Sequence, residues 1–245
     1  MKRLKQFIYV FIGLAVISAC EENKLDSPQV STLRVVNAIL DVGEVELREF
    51  QANFSSRSST EIRYASTQRY TVATGQDISV DVAPTSDTLD IIFSDVLRFD
   101  EAGSINTVVL YGDSNRVESF ILEEEFNNYD TPSYGIRFLN LSEDSEPVFP
   151  RAISLDSAGV RDTTVYEAID FREATVFNEV QSGESIENWT FQYLDAEDNI
   201  LYSTQVPLFF FFSPPDFRNI TIPLVGRFDD GQGGSSLTGF TIEHF

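Results

Sequence analysis

From Thr32 onward, apolar residues recur at every second position over short windows, and Gly, Asn, Asp, Ser and Pro separate one window from the next. A period of two sends alternate side chains to opposite faces of a pleated strand, so the spacing predicts sheet and offers no amphipathic helix. Residues 33–37, 45–50, 78–82, 89–93, 107–111 and 117–122 read as strands. Between the last two, Gly112, Asp113, Ser114 and Asn115 supply residues that tolerate positive φ in a hairpin turn. The 21 Phe and 9 Tyr residues, against one Met and one Trp, suit half-buried pleated surfaces.

The later half repeats the earlier one. Leu33-Arg-Val-Val-Asn37 parallels Ile136-Arg-Phe-Leu-Asn140, with Arg34 to Arg137 and Asn37 to Asn140 both 103 positions apart. Val72-x-x-Gly75 parallels Val180-x-x-Gly183, which precedes the strand Trp189-Thr-Phe-Gln-Tyr-Leu194. Gly112 and Gly226 end matching strands 114 positions apart, and each copy closes with one more strand, 117–122 or 237–243. Matches in the same order, with an offset that grows by loop-sized steps, indicate duplication. The expected fold is all-β, two tandem immunoglobulin-like β-sandwich domains at 32–127 and 132–245. Pro132 suits the joint because proline cannot donate to a ladder.

Ahead of this body lies an address. Residues 1–5, Met-Lys-Arg-Leu-Lys, are basic, and an apolar run follows from Phe7 to Ala19. Thirteen residues span about 20 Å as a helix, short of the roughly 30 Å of a bilayer core. A basic start and a short apolar stretch form a secretory signal, here residues 1–19. It closes with Ile17-Ser-Ala-Cys20, which resembles the bacterial lipobox, and the resemblance implies lipidation of Cys20. The chain has one cysteine, so no disulfide forms within it. Residues 20–31 read as a flexible tether, and Glu21-Glu22 resembles the surface-export signal of Bacteroidetes lipoproteins. The expected location is the cell envelope, on an outer-membrane anchor and surface-exposed rather than periplasm-facing.

The opening Leu33-Arg-Val-Val-Asn-Ala38 with Asp41, Tyr70-x-Val72-x-x-Gly75, and Thr107-Val-Val-Leu-Tyr-Gly112 resemble signatures of the bacterial family known as domain of unknown function 4397. Arg137-Phe-Leu-Asn-Leu-Ser142 resembles the family's opening again. The second copy departs from the pattern at Phe177 and at Pro223, which falls in a late strand. The resemblance covers most of residues 32–245 and implies exported, repeated, immunoglobulin-like domains. It carries over no catalytic residue.

Charge and missing residue types narrow the chemistry. The formal charge is −22, and loss of Lys2, Arg3 and Lys5 leaves 14 basic against 39 acidic residues. Such a surface repels phosphate backbones, so no nucleic-acid partner is expected. The single histidine, His244, is expected on a frayed or exposed terminal strand and supplies no catalytic triad. No cofactor fingerprint is present, and a zinc site lacks ligands. Asp195-Ala-Glu-Asp-Asn199 and residues 229–234 gather calcium-type oxygens, but such residues also build hairpin turns, and the turn reading is preferred. Glu123, Glu124 and Glu125 read as solvated charge closing a strand.

For binding, the aromatic residues stand out. Trp189, Phe191 and Tyr193 share one strand face, a core face or an exposed platform. Phe209, Phe210, Phe211 and Phe212 make both faces of their segment apolar, which points to an interface between the domains, a partner or a ligand. The expected function is a membrane-anchored, non-enzymatic structural or binding module with a protein or glycan partner. The alternatives are a carboxylate-dependent accessory hydrolase and a docking subunit of an outer-membrane complex.

Overall fold

A computed structural model describes residues 29–48, 60–122, 124, 126, 133–156, 161–181, 186–207, 219–229 and 234–244. They fold as strands and turns throughout, without a helix. In the first half, β4 (Ser66–Ala73), β1 (Val30–Leu40), β7 (Ile105–Asp113) and β8 (Arg116–Leu122) form one sheet in that order. The facing sheet runs β3 (Glu61–Arg63), β2 (Glu44–Arg48), β5 (Asp77–Pro84), β6 (Phe93–Arg98). Between them lies a core that includes Leu33, Val35, Leu47, Tyr70, Val80 and Leu110.

The second half repeats the plan. One sheet holds β12 (Asn178–Gln181), β9 (Ser133–Ser142) and β15 (Asn219–Gly226), with β16 (Thr238–Gly239) and β17 (Ile242–His244) both paired to β15. The other runs β11 (Arg161–Val165), β10 (Phe149–Asp156), β13 (Ile186–Leu194), β14 (Ile200–Pro207). Ile136, Phe138, Ala152, Phe191, Tyr193 and Ile222 are among the residues that fill its core. Among the described residues, no strand of one half pairs with a strand of the other.

Matched residues do matched work. β1 lies parallel to β7 with Arg34 opposite Thr107, and β9 lies parallel to β15 with Arg137 opposite Thr221. Asn37 donates its amide to the Ile62 carbonyl and accepts from Ile39 N–H; Asn140 donates to the Ile169 carbonyl and accepts from Ser142 N–H. The backbones of these asparagines accept from Ala65 and Arg172, two non-glycine residues at positive φ (53° and 66°). Gly112 (φ 97°) and Gly226 (φ 110°) turn the chain where a Cβ would fall 2.2 Å from the Arg116 carbonyl oxygen and 2.5 Å from that of Ser236. Only glycine fits either corner.

Three strand expectations change. The stretch 89–93 is a turn up to Phe93, where β6 begins, because Asp87 accepts from the backbone of both Leu89 and Asp90 and holds the chain in a bend. The strand expected over 45–50 is described only as far as Arg48. The strand expected over 237–243 is split into β16 and β17, which pair with Leu224 and Val225 on one side and residues 219–221 on the other. Pro223 lies between them, and lacking an N–H it cannot hold a partner strand at that rung. The buried hydroxyl of Tyr193 occupies the other side of this defect. It accepts from Leu139 N–H at 3.2 Å and donates to the Ile222 carbonyl. Burial pushes the phenol pKa far up, so it stays protonated and able to donate.

Candidate functional site

β1 alternates as the sequence predicts, with Leu33 and Val35 facing the core of the first half. Its other face carries Arg34, Val36 and Ala38, and β9 presents Arg137, Leu139 and Leu141 in the same way. Both of these outer faces are buried, because they pack on each other. Val36, Ala38, Val109, Tyr111 and Leu122 of the first half join Leu139, Leu141, Val225 and Ile242 of the second in one apolar cluster. Among the described residues, this seam joins the halves.

One end of the seam is charged. Arg34, Arg137 and His244 are 3%, 4% and 2% exposed. Arg137 reaches Glu124 at 2.9 Å through Nη2 and donates from Nε to Thr221 Oγ1 at 3.0 Å. Glu124 Oε1 accepts from Thr107 Oγ1 at 2.5 Å. Arg34 places Nη1 2.5 Å from His244 Nδ1 and donates from Nη2 to the Glu243 carbonyl at 2.6 Å. His244 Nε2 lies 2.9 Å from Thr221 Oγ1, and Nδ1 lies 3.5 Å from Glu124 Oε1. The rings of Phe126 and Phe177 close over the imidazole.

These contacts have a pseudo-two-fold plan. Thr107 pairs with Leu122 and Thr221 with Ile242, so Glu124 and His244 hold equivalent positions, two residues further on. Each half thus offers an arginine and a threonine on paired strands and a third polar group at its end. Each arginine crosses to the third group of the other half, Arg137 to Glu124 and Arg34 to His244. The two crossings are alike in place and unlike in charge.

Six residues along the strands, about 20 Å away, the other end of the seam repeats the theme. Asp113 and Arg227, equivalent through the glycines before them, meet at 3.5 Å. The Arg172 guanidinium lies 5.2 Å from the ring centre of Tyr111 and 5.4 Å from that of Phe120.

Burial shapes the titration of the charged end. Desolvation, then the positive charges of Arg34 and Arg137, pushes His244 down to about 2, so the ring is neutral. Burial also raises Glu124, against the pull of Arg137 and the Thr107 hydroxyl. His244 is therefore an interior residue, contrary to the frayed or exposed position expected near the end of the chain. Glu124 likewise departs from the solvated reading of its acidic run, its side chain only 2% exposed. A hint that this face is covered lies in Val36 and Ala38, apolar residues on the outward side of β1, although they point to neither Glu124 nor His244.

The other expected residues fall as follows. Trp189 is 6% exposed and stacks on Phe191 at 6.2 Å, so its face is core and not a platform. Cys20 and Phe209, Phe210, Phe211 and Phe212 lie outside the described residues. Asp195 accepts from the backbone of Glu197 and Asn199 and from the Asn199 side chain, the bonds of a closed turn. No group of three His, Cys, Asp or Glu side chains suited to a metal occurs among the described residues. A polar hollow of about 280 Å³ opens beside Glu44, Arg63, Ser66 and Gln68. No helix among them is long and apolar enough to cross a membrane. Compared with known protein families and with characterised proteins, the chain matches none.

Proposed function

We propose that this chain is a lipid-anchored protein of the bacterial cell envelope, a non-enzymatic module that holds a binding surface away from the membrane. One observation carries the reading: the charged groups that the chain buries are spent in joining two β-sandwich halves side by side. β1 enters at the charged end of the seam, ten residues after Cys20, and the hairpin at 113–116 and the turns at Asp41 and 143–146 sit at the other end. The lipobox-like Ile17-Ser-Ala-Cys20 supplies the anchor, and the family resemblance of residues 32–245 supports a duplicated, exported, immunoglobulin-like unit. The partner is a protein or a glycan.

Envelope fractionation of Cys20→Ser tests the anchor. The native chain is expected to sediment with membranes and the variant to stay soluble; equal sedimentation rules the anchor out. A polysaccharide panel and cross-linking in cells then divide glycan from protein. Leu89, Ile91 and Val96, at 86%, 46% and 61% exposure on one stretch of the first half, favour a protein contact.

A further inference from the structure

We propose that the seam is an acid-sensitive joint: protonation of His244 parts the two halves while each keeps its own core. The partners of the ring fix its neutral form. Arginine can only donate, so Nδ1 presents its lone pair to Arg34 Nη1, 2.5 Å away. Nε2 then carries the hydrogen and gives it to Thr221 Oγ1 at 2.9 Å. A second proton has to sit on Nδ1, where it meets the guanidinium head-on.

The charges around the ring point the same way. Among the described residues, the closed seam holds two cations, Arg34 and Arg137, against one buried carboxylate, Glu124. At Arg34, Arg69 opposite it on β4 adds positive potential and Glu243 on β17 partly offsets it. Glu124 Oε1 is 3.5 Å from Nδ1, outside normal hydrogen-bond distance and farther than Arg34 Nη1 at 2.5 Å, and the carboxylate already answers Arg137. A charged imidazole makes three buried cations to one anion.

The sign follows from burial. The ring has its ordinary pKa of about 6.5 when exposed and a far lower one in the closed seam. Above about pH 6.5 the closed form is unaffected; below it, the open form gains a proton that the closed form refuses, and the opening equilibrium rises tenfold per pH unit. Glu124 works in the opposite sense. Its raised pKa lets the closed form take up a proton first, which flattens the slope once that carboxylate begins to titrate. Opening costs the shared cluster and the polar contacts across the seam but no strand pairing, since among the described residues every ladder closes within its own half and the two cores are separate.

A thiol buried in the seam reads this opening. Val109→Cys replaces a residue of the shared cluster and Val80→Cys one in the core of the first half. In the full chain, labelling of the Val109→Cys thiol by a pyridyl disulfide is expected to speed up about 16-fold between pH 6.5 and pH 5, after correction for the reagent's own pH dependence. The Val80→Cys thiol is expected to stay protected. Adding His244→Gln, whose amide can still accept from Arg34 and donate to Thr221, is expected to flatten the seam profile. An equal acceleration with glutamine, or equal acceleration at both thiols, overturns the proposal. Should the glutamine chain not fold, the single imidazole decides by NMR: labelling that accelerates without protonation of His244 in the opened form overturns it equally.

Discussion

Replacing Glu124 by alanine removes a buried carboxylate that answers two buried arginines. Arg137 and Glu124 meet at 2.9 Å with side chains 5% and 2% exposed, so neither charge recovers its hydration when the other is lost. Arg137 would lose its ionic partner while keeping its bond to Thr221, and Thr107 would lose its acceptor. Breaking a buried pair in this way costs about 3–5 kcal/mol. The same chain contains its own control. Asp113 and Arg227 also bridge the halves, but at 3.5 Å and with side chains 32% and 44% exposed. Solvent screens that pair, and Arg227→Ala, which leaves the hairpin bonds of Asp113 intact, is expected to cost under about 1 kcal/mol. Urea denaturation of the native chain and both variants measures the difference. A third variant, Glu124→Leu with Arg137→Met, separates the pair's net worth from the penalty of an orphaned charge. It is expected to recover most of the loss, because removing both ions also removes their desolvation cost. If Glu124→Ala proves as mild as Arg227→Ala, the charged end of the seam is not buried in solution and the reasoning fails.

Tyr193→Phe deletes the hydroxyl that serves Leu139 and Ile222 beside the proline rung and is expected to cost about 1–3 kcal/mol in the same assay; an unchanged urea midpoint refutes the bridging role. Gly112→Ala forces a side chain into positive φ against the Arg116 carbonyl, with an expected loss of about 1–3 kcal/mol, whereas Gly43→Ala, with nothing within 4 Å of its new Cβ, is expected to be nearly neutral. Trp189→Ala empties part of the second core and is expected to lower stability by about 3–5 kcal/mol; a stable variant that loses only ligand binding would return Trp189 to a binding face.

Much of the fold is legible in the sequence because its repeats are tied to backbone geometry. Asn37 and Asn140 recur because each satisfies the same pair of backbone groups, and Gly112 and Gly226 recur because no side chain fits their corners. Alternation along β1 correctly sends Arg34 away from the core of its own half. What alternation cannot say is what lies beyond that face. An outward arginine reads as solvated unless a second sheet covers it, and the covering sheet is contributed by residues more than a hundred positions away. For the same reason Glu124 and His244 pass for ordinary chain-end residues. Their equivalence emerges only through the registers of β8 and β17. Pro223 was visible as an oddity, yet its remedy, a tyrosine hydroxyl from another sheet, has no local signature.

The position of β1 has a mechanical consequence. It is flanked on both sides, by eight residue pairs with β4 and nine with β7, and the chain enters it at Val30. A pull on the preceding segment, resisted by something held at the far turns, runs along the strand. All those rungs then bear the force together in shear, instead of unzipping singly from an edge. A tethered protein that must withstand flow gains most from placing its first strand there.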